Sequence, residues 1–526
     1  MAALENAQRF LNVSPQFRLG DLPTEGRHPL THNLSFLAQN DLEEALRVLH
    51  QVDLKALEKL LPCAPTIEAM RLAIAETLKS GHKIFFAGCG ATGRLSLTLE
   101  TLWRQQYPMH GSKVIGFMAG GDLALIKSIE NFEDHPEFGL RQLDDLGFCK
   151  GDLLIGITEG GETPFVIGAT EAASSKEGPH PFFVYCNPDD ILCKVAERSK
   201  KIIENPKIRK VNLFVGPMAI SGSTRMQATT VQMLAVGSAL LGAMAGQPIF
   251  PRLLDRFLSH WHSLNLEALA PLIAQEALWY QQGHYLLYET YDYGITVLTD
   301  TTERSPTFSL LPFENALDDK APMALCYLCL PHTNSSMEAW ESLLGRPPRA
   351  LTWENYASIA GLQRLLGFDM SQNMSRLRRG RAGDAKFHVC RVLRAKESRS
   401  LEIRAEFLLA KFPFSDGSHV LEEHLLLKLL LNSLSTLVMG RMKRYHGNVM
   451  TWVKPSNFKL IDRTIRYVGY LLEQAGEKSR SYEDIALATF ATMELVQPGE
   501  PVVLRTVERL LENRPPYTPD QKILGF

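Results

Sequence analysis

The stretch KIFFAGCGATGRLSLTLETLWRQQY, Lys83 to Tyr107, changes character twice within 25 residues. Lys83–Gly88 is an apolar run ending in glycine, which predicts a buried strand. Gly88-Cys89-Gly90-Ala91-Thr92-Gly93 is a turn-forming loop, and RLSLTLETLWRQQY reads as a helix. The same alternation continues downstream. KVIGFMAGG (Lys113–Gly121) predicts a strand, with a helix through Ile126–Phe132. DLLIGIT (Asp152–Thr158) predicts another, with a helix from near Pro164, and PFFVYCN (Pro181–Asn187) a fourth. Strands alternating with helices at this spacing make a parallel, doubly wound α/β sheet with helices on both faces. Upstream, Leu42, Ala45, Leu46, Val48 and Leu49 give the Asp41–Leu78 stretch a helical period.

At 526 residues the chain is too long for one compact core. The pattern restarts near Gly283, where YGITVLTD (Tyr293–Asp300), MALCYLCLP (Met323–Pro331) and FHVCRVL (Phe387–Leu393) read as strands. The expected division is an N-terminal segment at 1–50, α/β modules at 51–282 and 283–455, and a helical lid at 456–526. Met226–Met244, which follows SGSTR, and Lys428–Met442 are both helical stretches rich in Leu, Met and small residues. They suggest two copies of one module paired inside one chain, and hence a monomer.

A net charge of −2 gives no reason to expect a nucleic-acid or membrane partner. Arg376, Arg378, Arg379, Arg381, Arg391 and Arg394 form a local basic cluster, read as a solvated surface or a dock for an acidic partner. Met1–Leu19 lacks the pattern of a signal peptide, and no uninterrupted apolar run reaches the ~18 residues of a membrane span. Eight scattered cysteines fit reduced thiols in a cytoplasmic protein. Cys326 and Cys329 form a lone C-x-x-C inside an apolar run, so no metal is expected there.

Three loops share one chemistry. The first holds Gly90, Ala91 and Thr92; the second holds Thr158, Gly160, Gly161 and Thr163; the third, Ser221–Arg225, holds Ser223 and Thr224. Each sets glycine and hydroxyl groups at a helix start, where free N–H groups and the helix dipole favour an anion. Three such loops at the carboxyl ends of strands predict a phosphate site. The nucleotide P-loop pattern is absent. The first loop does match G-x-G-x-x-G, but the acidic residue a dinucleotide site needs comes late, at Asp122. No cofactor is therefore expected.

TEGRHPLTHNLS, AGCGATGRLS, SIENFEDHPEFG, GITEGGETPFVIGA and GPMAISGSTRM, in order through residues 22–245, resemble the N-acetylmuramic acid 6-phosphate etherase and glucokinase regulatory protein family. Its fold is the sugar isomerase (SIS) domain. The second module, and KLLLNSLSTLVMGRM from Lys428, resemble the regulatory branch. The resemblance implies a sugar-phosphate ligand held by the three loops, by Glu130 and Glu133 about one helical turn apart, and by Lys428 lent from the second module. It also implies two catalytic carboxylates in the etherases. Glu133 matches one, but the other aligns with Leu102. Glu100 is close, but two positions along a helix turn it by about 200°, and it reads as a solvent-facing residue. Gly160 stands where the family usually has serine, and Gln227 where it has lysine. The implied function is a non-catalytic sensor of a phosphorylated sugar, with a sugar kinase as the partner. An etherase or a sugar-phosphate isomerase is the alternative.

Overall fold

Short runs of Ile, Leu, Val and Phe with no polar alternation make strands buried on both faces. The computed structural model describes residues 2–129, 132–318, 320–383, 386–477, 480–497 and 499–511. In its first half, β1 (Ile84–Gly88), β2 (Val114–Met118), β3 (Leu153–Ile157), β4 (Phe182–Tyr185) and β5 (Arg209–Asn212) form an all-parallel sheet of order β2-β1-β3-β4-β5. Phe86 at its centre pairs with Gly116 and Ile155. Gly116 admits the covering helix, since a Cβ there would lie 2.2 Å from the Ser96 carbonyl oxygen.

The second sheet runs β10-β9-β8-β6-β7. In it β6 (Tyr285–Thr290), β7 (Cys326–Cys329) and β8 (Phe387–Ala395) are parallel, while β9 (Ser400–Ala405) and β10 (Leu408–Pro413) return antiparallel. The α/β architecture follows the sequence reading, and the antiparallel edge is an addition to it. Cys326 and Cys329 are buried, unpaired thiols of β7.

The helices that matter for the site are α1 (Leu42–Glu58), α2 (Ala64–Lys79), α3 (Gly90–Gln106), α4 (Pro136–Asp145), α5 (Pro164–Ser175), α6 (Gln227–Ala245), α7 (Gly294–Phe308), α8 (Val420–Arg441) and α9 (Phe458–Gln474). Two expectations fail here. Tyr293–Asp300 is not a strand but the start of α7, and β6 precedes it. Its Thr and Val content favours strand, but α7 is buried nearly all round, which hides the helical period. Its threonine hydroxyls donate back to carbonyls one turn earlier, as Thr301 does to Val297. The helix expected through Ile126–Phe132 is replaced by single turns at Asp122–Leu125 and Phe132–Asp134; α4 begins only at Pro136, a residue preorganised for a first helical turn.

α6 and α8, the two stretches of the internal repeat, pack on each other where Gly237 faces Leu421. α6 is long and apolar enough to cross a membrane, but it lies buried in the core. The basic cluster is not uniformly solvated, because Arg378 is fully buried against Glu314, the Ala324 carbonyl and the Tyr327 ring.

Candidate functional site

Loop one lies between β1 and α3. The Thr92 hydroxyl accepts from Cys89 N–H (3.1 Å) and donates to the Cys89 carbonyl (2.9 Å), so it closes the helix cap. The N–H groups of Gly90 and Ala91 remain at the open end of α3, where they have no intrahelical acceptor. The Cys89 thiol turns towards Glu133 and donates to Oε2 at 3.0 Å. Burial, then Glu133, hold that thiol well above its ordinary pKa, so it is a neutral donor.

Loop two lies between β3 and α5. The Thr158 and Thr163 hydroxyls meet at 3.0 Å, and Gly161 N–H donates to Thr158 Oγ1. Asn187 and Ser199 hold the carbonyls of Gly160 and Gly161. The left-handed φ of +79° at Gly161 lets the chain turn here. Glu159 is buried, and burial pushes its carboxyl up to about 7, against the pull of Lys459 and a hydrogen bond with Thr224. Glu162 pairs with Arg198 at 2.7 Å and Lys459 at 3.0 Å.

Loop three differs from the other two. The N–H groups of Ser221, Gly222, Ser223 and Thr224 donate to Asn448, Thr24, Ile220 and Gly222 carbonyls, and so are already engaged. The loop is clamped rather than open. The Ser223 hydroxyl and the Arg225 Nε–H are left, both buried and without a hydrogen-bond partner among the described residues.

Helix α9, in the stretch expected as a helical lid, touches loops two and three directly and loop one through Glu133, and the sequence reading named none of these contacts. Its N-cap Asn457 donates to Glu133 Oε1 at 2.6 Å. Lys459 reaches Glu162, Arg463 lies against Gly222, and Tyr467 OH donates to the Ser221 carbonyl at 2.7 Å. Residues 459, 463 and 467 recur every four positions, so one helical face carries all three contacts. That spacing of polar groups on an amphipathic helix is a signal that marks one face of α9, though not what the face touches. Arg463 and Arg466 also grip the buried Glu25, within the TEGRHP motif. Burial raises the Glu25 pKa, but Arg463 and then Arg466 outweigh it and hold the carboxylate far below its usual range.

Lys428 crosses from the second half to the first. Its ammonium donates to the carbonyls of Arg225 (3.0 Å) and Met226 (3.2 Å), to Thr230 Oγ1 (2.7 Å) and to Asn432 Oδ1 (3.0 Å). Burial pulls its pKa down, with Asp53 opposing. It does not snorkel to solvent; it borders a cavity of about 30 Å³ that Ala91 of loop one also lines. Gln227 joins Asp53 Oδ1 (2.7 Å) to the Ala219 N–H (2.8 Å).

The carboxylates sort clearly. Glu133 stands at the junction of loop one and α9. Leu102 is buried core. Glu100 is not solvent-facing: it is 1% exposed, bound by Arg346 and Arg349 and by Gly116 N–H. Glu130 lies outside the described residues. Glu133 sits in a single 3-10 turn, Phe132–Asp134. Among the described residues, no three His, Cys, Asp or Glu side chains are arranged to hold a metal.

Residues 66–174 match the family model for the glucokinase regulatory protein N-terminal SIS domain. An N-acetylmuramic acid 6-phosphate etherase of Aliivibrio fischeri (strain ATCC 700601 / ES114) is 33% identical over 226 residues, 43% of this chain and 70% of the relative. The etherase of Klebsiella aerogenes is 30% identical over the same shares. Among solved structures, the tagatose-6-phosphate ketose/aldose isomerase of Escherichia coli aligns at 12% identity and TM-score 0.39, over 77% of this chain and 93% of that one.

Proposed function

The chain belongs to the N-acetylmuramic acid 6-phosphate etherase and glucokinase regulatory protein family, and we propose that it binds a sugar phosphate without turning it over. The observation that carries this reading is the fate of the second carboxylate. Elimination of lactate from an ether needs a base beside the carbonyl carbon and an acid at the leaving oxygen. Glu133 stands ready for one of these tasks. Leu102 occupies the other position, and its nearest substitute, Glu100, is locked by Arg104, Arg346 and Arg349.

A regulatory role fits the layout. The loops of the first half, Lys428 of the second and α9 all meet around one region. A ligand there contacts elements from separate parts of the chain, and differential affinity for two arrangements of them is what a sensor requires. Fructose 6-phosphate or a muramic-type sugar phosphate is the ligand class, a sugar kinase the regulated partner, and the cytosol the setting. The chain's paired modules make it a monomer in this reading. A lyase is the second reading, favoured by the intact Glu133 and by etherases among the relatives.

The test is proton NMR of the protein with N-acetylmuramic acid 6-phosphate, fructose 6-phosphate and fructose 1-phosphate in separate samples. Broadening of one sugar phosphate with no new product is expected. Lactate accumulating in proportion to protein, or interconversion of ketose and aldose, refutes the reading.

A further inference from the structure

Loop two carries an anion of its own. Glu162 is 2% exposed, and its carboxylate folds back over the loop that bears it. A Cβ on Gly160 would lie 3.2 Å from Glu162 Oε1 and 3.3 Å from its Cγ. The space beside Gly160, where a serine side chain would stand, is therefore filled by Glu162. The carboxylate bridges two cations from different elements: Arg198 Nη2 at 2.7 Å and Lys459 Nζ at 3.0 Å. Arg198 also grips the Glu162 carbonyl, at 2.5 Å from Nε, which fixes the backbone under it.

The charges around this point are unevenly divided. Glu133, Asp134, Glu159 and Glu162 face Lys459 and Arg198, while Arg463 is already held by Glu25. Burial works against the Lys459 ammonium, but Glu162 and then Glu133 outweigh it and keep it charged. An incoming phosphate at loop two thus finds its natural cation already taken, and taken by a side chain of the loop itself.

We propose that Glu162 is the specificity-determining residue of the site: a tethered anion that a ligand's phosphate displaces from Lys459, leaving Glu162 on Arg198. This rests on the sugar-phosphate reading above. It makes phosphate binding an exchange of partners, so affinity is set by the difference between two anions for one ammonium. Lys459 stands on the first turn of α9. The exchange therefore passes directly to the helix that holds loops two and three, which is the kind of differential contact a sensor needs. Unphosphorylated sugar has no anion to exchange and leaves the Glu162–Lys459 pair in place.

Isothermal titration of fructose 6-phosphate, fructose 1-phosphate, N-acetylmuramic acid 6-phosphate and fructose tests this with wild type, Glu162→Gln, and Glu162→Gln combined with Lys459→Met. Glu162→Gln is expected to tighten the phosphorylated ligand tenfold or more and leave fructose unaffected, and the gain is expected to vanish in the double variant. Glu162→Asp is a second route to the same end if Glu162→Gln folds poorly, because one methylene less draws the carboxylate back from Lys459 while keeping a charge beside Arg198. Unchanged or weaker phosphate binding in these variants, against a wild type that does bind, overturns this inference alone. No sugar phosphate bound by any form overturns it together with the sugar-phosphate reading.

Discussion

Asn457 holds Glu133 with one end of its side chain and caps α9 with the other. Nδ2 donates to Glu133 Oε1 at 2.6 Å, and Oδ1 accepts from Leu460 N–H at 2.9 Å. The cap of the covering helix and the one matched carboxylate of the family are therefore a single unit. Removing both bonds has two costs: about 1 kcal/mol for an N-cap, and about 1–3 kcal/mol for leaving part of a carboxylate unsatisfied. Asn457→Ala is expected to lose roughly 2–4 kcal/mol in urea unfolding by the sum of those terms. Hydrogen exchange of the first turn of α9 is expected to speed up as well. Exchange unchanged from wild type means that α9 is held by its apolar face together with Lys459, Arg463, Arg466 and Tyr467.

The loops were legible in the sequence because glycine at a strand end has few other uses, and the strand–loop–helix rhythm repeats. Thr92 was legible as a hydroxyl at a helix start, but not as one engaged in its own cap. Local spacing cannot distinguish a cap from a ligand donor, since the same hydroxyl at the same position serves either. Lys459, Arg463 and Glu25 were missed for a different reason. Each acts across a separation of hundreds of residues, and their pairing exists only once α9 is laid on the loops. Glu100 shows the same limit from the other side. A glutamate on a helix reads as solvated until Arg346 and Arg349, from beyond the second sheet's β7, are brought to it. The antiparallel β9 and β10 were overlooked because they are not continuous apolar runs: Leu401, Ile403 and Ala405 alternate with Glu402 and Arg404, the period-two pattern of a strand.

Glu159 supplies a pH signature for the site. Its carboxyl sits at about 7 in the folded protein, raised by burial from an ordinary value of 4.5, with Lys459 and Thr224 opposing and Glu303 adding to the rise. Between these two values the folded state holds a proton that the unfolded chain has released. Its contribution to stability is therefore full below about pH 4.5 and declines until about pH 7. Several wholly or partly buried histidines, among them His28, pushed down to about 4, act with the opposite sign over part of this window. Glu159→Gln separates the two effects, because the histidines are common to both proteins. Relative to Glu159→Gln, wild type is expected to lose stability between pH 5 and 7.5, on the order of 3 kcal/mol at most from the size of the shift. Urea unfolding at four pH values measures it. A pH-independent difference means that the carboxyl stays ionised throughout, paired with Lys459.

Restoring the missing carboxylate is expected to harm the protein without making it an enzyme. Leu102 is 4% exposed on α3, among core side chains. Glu100, two positions earlier, directs its carboxylate into a buried cluster in which Arg346 also bonds Asp122 at 2.6 Å and Arg349 reaches the Gly116 carbonyl at 3.0 Å. α3 cannot turn to present Glu100 to the loops without abandoning both arginines. Stripping a buried ion pair of one partner costs about 3–5 kcal/mol. Glu100→Ala is thus expected to lose about that much in urea unfolding. Leu102→Glu is expected to lose several kcal/mol by burying a carboxyl with no partner, and neither variant is expected to release lactate from N-acetylmuramic acid 6-phosphate. Lactate from Leu102→Glu, at a rate that Glu133→Gln abolishes, means that the etherase geometry survives around Glu133 and that one side chain separates binder from catalyst. Its absence in a protein that still binds the sugar phosphate means that the lyase site has been rebuilt more deeply.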